Sequence, residues 1–497
     1  MSNMSVFDIS QLSEQNPWWI DKNNILKDFK VSSLNKLKYQ WDPNLRHFIK
    51  LDSDVIFTIR GPRQVGKTTL IKLIIKDLLL NKNVKPEDIL FWSCERNDDK
   101  ELNKIIQTYL DWRHSNKAAR KYVFLDEICG IKNWPKEIIY FANKGEFVNC
   151  SLILTGSHSM DLKHSTELMP GRRGGDENNP LDKILLPMKF SEFVQLLWPE
   201  FKQKMFDYNI IKKSDRQEKI LDLFEGKISE DLNNLMLFKK QLDSLFEIYL
   251  LTGGIPSTIN ELKDIGKIST RLFNVYLTAI IGDLGRYNYK EHYFKQIMRE
   301  IFNSLSNPIS WNSFTKSTEI KSHNTVQEYI TALEELYIAN ISYRCSIHDQ
   351  KIHSFMKKMY VQDPFIFHAL HGWANGKKDY FKNAKANILN LEIKSKLVES
   401  VVYNHLCRFS FGLNPKDLFD PKDTICYYEA KNKKEVDFVL LFDDKYYPFE
   451  VKYQSKINNS DFFGFKSFNK GVLITKDELG MHRNYVKLPV SIFLLLV

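Results

Sequence analysis

Cysteine is sparse and scattered in this chain. The six (Cys94, Cys129, Cys150, Cys345, Cys407 and Cys426) show no C-x-x-C spacing, which argues against a zinc site and against a secreted disulfide framework. The N-terminus is polar and lacks the apolar stretch of a signal peptide. No apolar run approaches the roughly 18 residues of a membrane span, and the terminal run from Ile492 to Val497 is only strand-sized. A cytoplasmic protein with no membrane partner is expected. Nor does one charge sign dominate: 71 Lys and Arg against 61 Asp and Glu leave a net charge of +10, which admits nucleic acid or another anionic partner without requiring one. Hydrophobic residues at 43% and charged residues at 27% are ordinary for a globular protein, so real cores can form. A length of 497 residues suggests about three domains at roughly 150 residues each.

What the chain does carry is a phosphate-binding loop. Gly61-Pro62-Arg63-Gln64-Val65-Gly66-Lys67-Thr68-Thr69 fits G-x-x-x-x-G-K-[ST]. An apolar run, Val55 to Ile59, precedes it as a buried strand, and Thr69 to Leu79 follows with apolar residues at helical spacing. The glycines let the backbone wrap a phosphate with its N–H groups, and the helix N-terminus adds partial positive charge. Lys67 would reach the β- and γ-phosphates of ATP, and the Thr68 hydroxyl would serve Mg²⁺.

From about residue 51 to 195, strands alternate with helical patterns, which predicts a parallel sheet of βαβ units. Tyr122 to Leu125 runs into Asp126-Glu127, so a buried strand delivers two acids to its carboxyl end, where open α/β sheets bind ligands. Asp126 is suited to holding Mg²⁺ through water, and Glu127 to orienting or deprotonating the attacking water. Leu152 to Thr155 leads into Gly156-Ser157-His158. There Ser157 is preferred over Thr155 and His158 as the polar group near the γ-phosphate. Arg172 and Arg173, in the Gly-rich loop from Leu168 to Gly175, suit a donor fork held toward phosphate. That phosphate belongs to the chain's own nucleotide or to a neighbouring subunit's, which admits a homo-oligomer. Asn16-Pro17-Trp18-Trp19 belongs to an N-terminal arm expected to pack on this core.

The G-P-R-Q-V-G-K-T-T run at 61–69, F-L-D-E-I at 124–128, L-T-G-S at 154–157, L-x-P-G-R-R-G at 168–174 and the run from Leu186 to Phe193 resemble an AAA+/STAND-like P-loop ATPase family widespread in archaea. Tyr249-Leu250-Leu251-Thr252-Gly253-Gly254-Ile255-Pro256 matches that family's Gly-Gly turn after the ATPase core. The resemblance covers about residues 15 to 475, with a small departure at Met188-Lys189. Residues 196–285 read as a helical lid or linker and 286–384 as a winged-helix-like domain. In the latter the run from Trp311 to Lys316 and the run from His323 to Ile330 form two short helices, followed by a strand-like pair. Lys316, Lys321, His323, Asn324 and Gln327 would lie on or near its exposed recognition helix. They would meet DNA, or the module would contact protein instead.

Residues 385–497 form a second constellation. Glu435 to Phe442 turns at Asp443-Asp444 into the strand Lys445 to Lys452, so Asp437 and Glu450 lie nearly opposite each other, and Glu450 and Lys452 share a face. This Asp…Glu-x-Lys arrangement is similar to the restriction-endonuclease-like domain at the C-terminus of the same family. The resemblance implies that Asp437 and Glu450 hold Mg²⁺ with help from Glu399, and that Lys452 positions the attacking water. Lys431, Lys433 and Lys434 beside the site guide a phosphate backbone or form a solvated loop. The expected fold is thus a P-loop NTPase parallel sheet with helices on both faces (1–195, with the arm), a helical and winged-helix region, and a C-terminal α/β nuclease-like domain. The expected function is ATP hydrolysis coupled to DNA binding or processing. Its alternative is an ATP-driven switch whose C-terminal modules only bind.

Overall fold

The computed structural model describes residues 8–95, 99–113, 119–156, 162, 173–175, 179–286, 288–347, 351–417, 419–430 and 434–497. The chain divides into two compact units, Met1–Leu186 with Pro415–Leu418, and Pro187–Asn414 with Phe419–Val497. Among the described residues no helix is long and apolar enough to cross a membrane.

In the first unit β1 (Val55–Arg60), β2 (Ile89–Ser93), β3 (Lys121–Asp126), β4 (Cys150–Thr155) and β5 (Asp182–Ile184) form one sheet in the order β2-β3-β4-β1-β5. Every pairing in it is parallel. All six residues of β1 and of β4 are buried, as expected for central strands covered on both faces. The helix Lys67–Leu80 packs through Leu70, Ile71, Ile74, Ile75 and Leu78. The strand order sets the ends of β3 and β1 on either side of β4, so Asp126, Thr155 and the loop after Arg60 meet at the carboxyl edge of the sheet.

The N-terminal arm docks on the β2 edge. The Asn16 side chain donates to Phe91 O at 3.0 Å and accepts from Phe91 N at 2.7 Å, doing what a neighbouring strand would do. Trp18 and Trp19 both donate their indole N–H to Ile89 O, at 3.2 and 2.9 Å. Lys72, buried beneath, lies 3.4 Å from the centre of the Phe91 ring and 3.2 Å from Asp28 Oδ2.

The second unit is built on an eight-stranded mixed sheet. Its strands are β6 (Ala339–Ser346), β7 (Lys351–Val361), β8 (Ile425–Glu429), β9 (Glu435–Phe442), β10 (Lys445–Lys452), β11 (Gly471–Thr475), β12 (Gly480–His482) and β13 (Tyr485–Pro489). They run in the order β12-β13-β11-β10-β9-β8-β6-β7. The two short helices are present, Trp311–Ser317 and His323–Glu335, and Val326, Tyr329, Ile330 and Leu333 form the buried face of the second. The strand pair after them is the antiparallel β6–β7 hairpin, and β6 pairs with β8, so this hairpin and the C-terminal strands share a single sheet across residue 385. That pairing also joins Cys345 to Cys426 in a disulfide, with Cα atoms 5.7 Å apart and a sequence separation of 81. Their scatter along the chain gave no sign of a bond, because sheet pairing brings them together.

The helix Leu391–Leu413 lies against β7, β9 and β10. Tyr403 stacks on Tyr360 with ring centres 4.4 Å apart, and Asn404 donates to Val361 O at 2.8 Å. The Gly253-Gly254 turn fits only glycine. A Cβ on Gly253 (φ +59°) would stand 1.9 Å from Asp363 Oδ1, and one on Gly254 would stand 2.2 Å from Met188 O. Asp363 Oδ2 accepts from Gly254 N at 2.9 Å, so the turn and the start of the helix Pro364–Ala374 are fastened together.

Candidate nucleotide site and C-terminal carboxylate cluster

The loop Gly61–Thr69 joins β1 to its helix as the motif requires. Gly61 sits at φ +151°, and a Cβ there would come within 2.1 Å of Leu185 O, on the strand side of the loop. Gly66 caps the helix at φ +105°, with nothing within 4 Å of where its Cβ would be. Pro62, Arg63 and Thr69 are partly buried, Val65 is buried, and Gln64 is exposed with φ +61°. Lys67 Nζ donates to Gly61 O at 2.9 Å and to Pro62 O at 3.1 Å, and lies 3.9 Å from Glu127 Oε1.

Beside it Thr68 Oγ1 donates to Asp126 Oδ2 at 2.7 Å, while Thr155 Oγ1 donates to Asp126 Oδ1. Glu127 N donates to Thr155 Oγ1 at 3.1 Å, which ties the left-handed Glu127 backbone (φ +53°) to β4. Burial pushes the Asp126 carboxyl up; the Thr155 and Thr68 hydroxyls act against it. A threonine hydroxyl and a carboxylate brought together are hard oxygen donors of the kind Mg²⁺ takes alongside water and phosphate, so this set fits that ion.

Ser157 and Arg172 lie outside the described residues. Thr155, passed over in favour of Ser157, is the β4 residue that touches Asp126 and Glu127. Arg173 does not point to phosphate. Its guanidinium bonds Asp182 Oδ1 at 2.8 Å and Ile56 O at 3.2 Å, and Asp182 Oδ1 also accepts from Thr58 Oγ1 at 2.6 Å. Ile56 N in turn donates to Arg173 O, so residue 173 runs beside the first half of β1, away from the loop at its far end. The expectation of a phosphate-facing Arg173 is corrected: a buried carboxylate claims it.

In the second unit the β9–β10 hairpin turns through Asp443 and Asp444, both with positive φ. The backbone ladder ends at Phe438↔Phe449, and side chains take over one step further on. Asp437 N donates to Glu450 Oε2 and Val451 N donates to Asp437 Oδ2, each at 3.0 Å. Lys452 Nζ bonds Glu450 Oε1, and Tyr360 OH donates to Glu399 Oε1 at 3.0 Å. Asp437, Glu450, Lys452 and Glu399 therefore do gather.

A residue that the sequence did not flag completes the group. Lys358 of β7, with its side chain 2% exposed, places Nζ 3.0 Å from Asp437 Oδ1, 3.0 Å from Glu435 Oε2 and 3.8 Å from Glu399 Oε1. Burial and then the charge of Asp437 push Glu399 up, and the same two causes push Glu450 up. Asp437 is held below its ordinary value because Lys358, and after it Lys452, outweigh the cost of burial. As arranged, this cluster leaves a divalent ion little room. Asp437 and Glu450 have both oxygens engaged, and an ammonium already stands against Asp437 and Glu399. Among the described residues no group of three or more His, Cys, Asp or Glu side chains is set to hold a metal ion. Lys431 and Lys433 lie outside the described residues; Lys434 is exposed.

Residues 53–194 match the family model described as an AAA domain. Residues 394–493 and 243–377 match two models described as domains of unknown function, DUF4143 and DUF8612. No curated protein matches the chain. Solved structures with a similar arrangement include the Walker-type ATPase of Pyrococcus abyssi, at 15% identity over 64% of this chain and 91% of that one, with a TM-score of 0.39. The Orc1 protein of Aeropyrum pernix in complex with DNA matches at 11% identity over 72% and 96% of the two chains, with a TM-score of 0.28. A RuvB variant of Thermotoga maritima matches at 16% identity over 64% and 89%, with a TM-score of 0.25. Scores this low add nothing to what the sheet and the loop already define. The family match and the P-loop support an AAA-type ATPase domain over residues 53–194.

Proposed function

We propose that the chain is a Mg²⁺-dependent ATPase whose nucleotide cycle governs the grip of its second unit on DNA. The observation that carries this reading is the pairing of Thr68 with Asp126 at the end of β3, under a loop that ends in Lys67. In that arrangement the Lys67 ammonium offsets charge on the phosphates, and Glu127 takes the proton of the attacking water or orients it. The Thr68 hydroxyl, and Asp126 through water, would hold Mg²⁺, which would supply charge stabilisation to the phosphates when bound. Arg172 is the remaining candidate for a donor fork, toward this chain's nucleotide or a neighbouring copy's.

Residues 286–384 are proposed to read DNA as a winged-helix module. Lys316, Lys321, His323, Asn324 and Gln327 are all exposed, and the net charge is positive. Gripping is favoured over cutting by a specific observation. Cleavage through Asp437, Glu450, Glu399 and Lys452 needs a divalent ion between the carboxylates, and Lys358 is engaged there.

The test is ATP turnover measured with and without single-stranded, duplex and branched DNA, with the same DNA then resolved on a gel. Turnover that responds to DNA, with the DNA intact, is the expected result. Turnover indifferent to every DNA removes the DNA half of the proposal, and cut DNA that is spared on Asp437→Ala restores the nuclease reading.

A further inference from the structure

The carboxylates of the second unit are arranged around a cation that the chain itself provides. We propose that the ammonium of Lys358 is the resident cation of the Glu399–Glu435–Asp437–Glu450 cluster, standing where an Asp…Glu-x-Lys site would place a divalent ion. The cluster is then complete without metal. This inference is independent of the ATP site.

The geometry matches the donor to its surroundings. A lysine ammonium has three N–H donors and no acceptor, and three carboxylates from β9 and the helix Leu391–Leu413 stand 3.0, 3.0 and 3.8 Å from Nζ. Both oxygens of Asp437 and both of Glu450 already have partners within the chain. Asp437 Oδ2 accepts from Val451 N, Glu450 Oε2 from Asp437 N, and Glu450 Oε1 from Lys452. Glu399 Oε1 accepts from Tyr360. Mg²⁺ demands oxygens at about 2.0–2.1 Å in near-octahedral array and sheds its waters reluctantly. It would have to share Asp437 Oδ1 with a cation already 3.0 Å from that atom.

Lys358 is not a passing occupant. It pairs with Ser342 in the β6–β7 ladder, which fixes its Cα, and its neighbour two residues on, Tyr360, points to the same face and meets the same Glu399. Tyr360 is wedged against Tyr403 and Phe438. Removing the Lys358 ammonium leaves Glu399, Glu435 and Asp437 short of countercharge at a cost in stability, and a bound divalent ion would relieve it. Lys358→Met keeps an unbranched apolar stem, one heavy atom shorter, and removes the ammonium with its charge and its three donors.

The test uses the full chain carrying Thr68→Ala, so that the P-loop contributes no ion, and titrates Mn²⁺ by electron paramagnetic resonance without nucleotide. The expected result is that the parent binds no Mn²⁺ in a manner dependent on Asp437. Lys358→Met gains one ion per chain at least tenfold more tightly than any binding by the parent, and the gain is lost when Asp437→Asn is added. An Asp437-dependent ion in the parent overturns the proposal, and so does a folded Lys358→Met chain that binds none. Should Lys358→Met fail to fold, as judged by circular dichroism, the parent decides alone through its melting temperature. Indifference to Mn²⁺ and EDTA supports the resident ammonium, and a rise with Mn²⁺ that disappears on Asp437→Asn refutes it.

Discussion

The Lys67 ammonium lies 3.9 Å from Glu127 Oε1 while donating to the carbonyls of Gly61 and Pro62. The two residues face one another across the site but serve different steps. Lys67→Ala removes a charge that meets the phosphates themselves, so nucleotide affinity and turnover should both collapse, turnover by roughly 100-fold or more. Glu127→Gln keeps the shape and loses the base, so nucleotide should still bind while turnover falls by a similar factor. Calorimetric ATP binding beside a phosphate-release assay separates the two, and unchanged turnover in Lys67→Ala would sink the ATPase reading.

Thr155 acts through others. Its hydroxyl donates to Asp126 and accepts from Glu127 N, so Thr155→Val should leave ATP affinity near its starting value and lower kcat about 10-fold, the usual scale for groups that orient a metal ligand. A KM that rises while kcat holds would show instead that Thr155 touches the nucleotide.

Arg173 is expected to matter for stability alone. Its bond to Asp182 is nearly buried on both sides, and Arg173→Ala strands that carboxylate beside Thr58. Breaking a buried pair on one side costs about 3–5 kcal/mol. The melting temperature should therefore drop by several degrees while ATP turnover per folded molecule stays the same. A loss of turnover in protein that is still folded would return Arg173 to the catalytic set.

What the sequence made legible was local. The phosphate loop, the Asp126-Glu127 strand end and the Asp437/Glu450 juxtaposition each follow from a motif or from counting outward from one turn, and the hairpin register bears that counting out as far as Phe438↔Phe449. Lys358 was out of reach because only the pairing of β6 with β8 carries β7 into the sheet that holds Asp437. The same long-range pairing hid Cys345 and Cys426. Arg173 misled for a related reason: a Gly-rich loop looks solvent-facing, and nothing nearby in sequence announces that Asp182 and Ile56 O will take its donors.

His405 gives the second unit an acid limit. Its Nε2 accepts from Phe190 N at 2.9 Å and its Nδ1–H donates to Val401 O at 2.8 Å, so the neutral ring is required, and burial with nearby Arg408 drives its pKa well below 6.5. With the folded value depressed, the unfolded chain takes up the proton first. The contribution is therefore full above about pH 6.5 and is lost as pH falls, by roughly 1.4 kcal/mol per unit. His405→Leu should cost about 2 kcal/mol at pH 8, where Phe190 N is left without its acceptor. The gap to the parent should close near pH 5. Denaturant melts at several pH values test this, and a gap that widens in acid would reverse the sign.

A last consequence concerns how portable the C-terminal region is. A piece trimmed to residues 394–493, the span of one matched family model, would carry Glu399, Glu435, Asp437, Glu450 and Lys452 but leave Lys358 behind. It would also strip β6 from β8 and lay that strand's edge bare, an invitation to stick to other chains. Such a fragment would be an electrostatic stranger to its parent, its carboxylates short of the cation that Lys358 supplies in the longer chain.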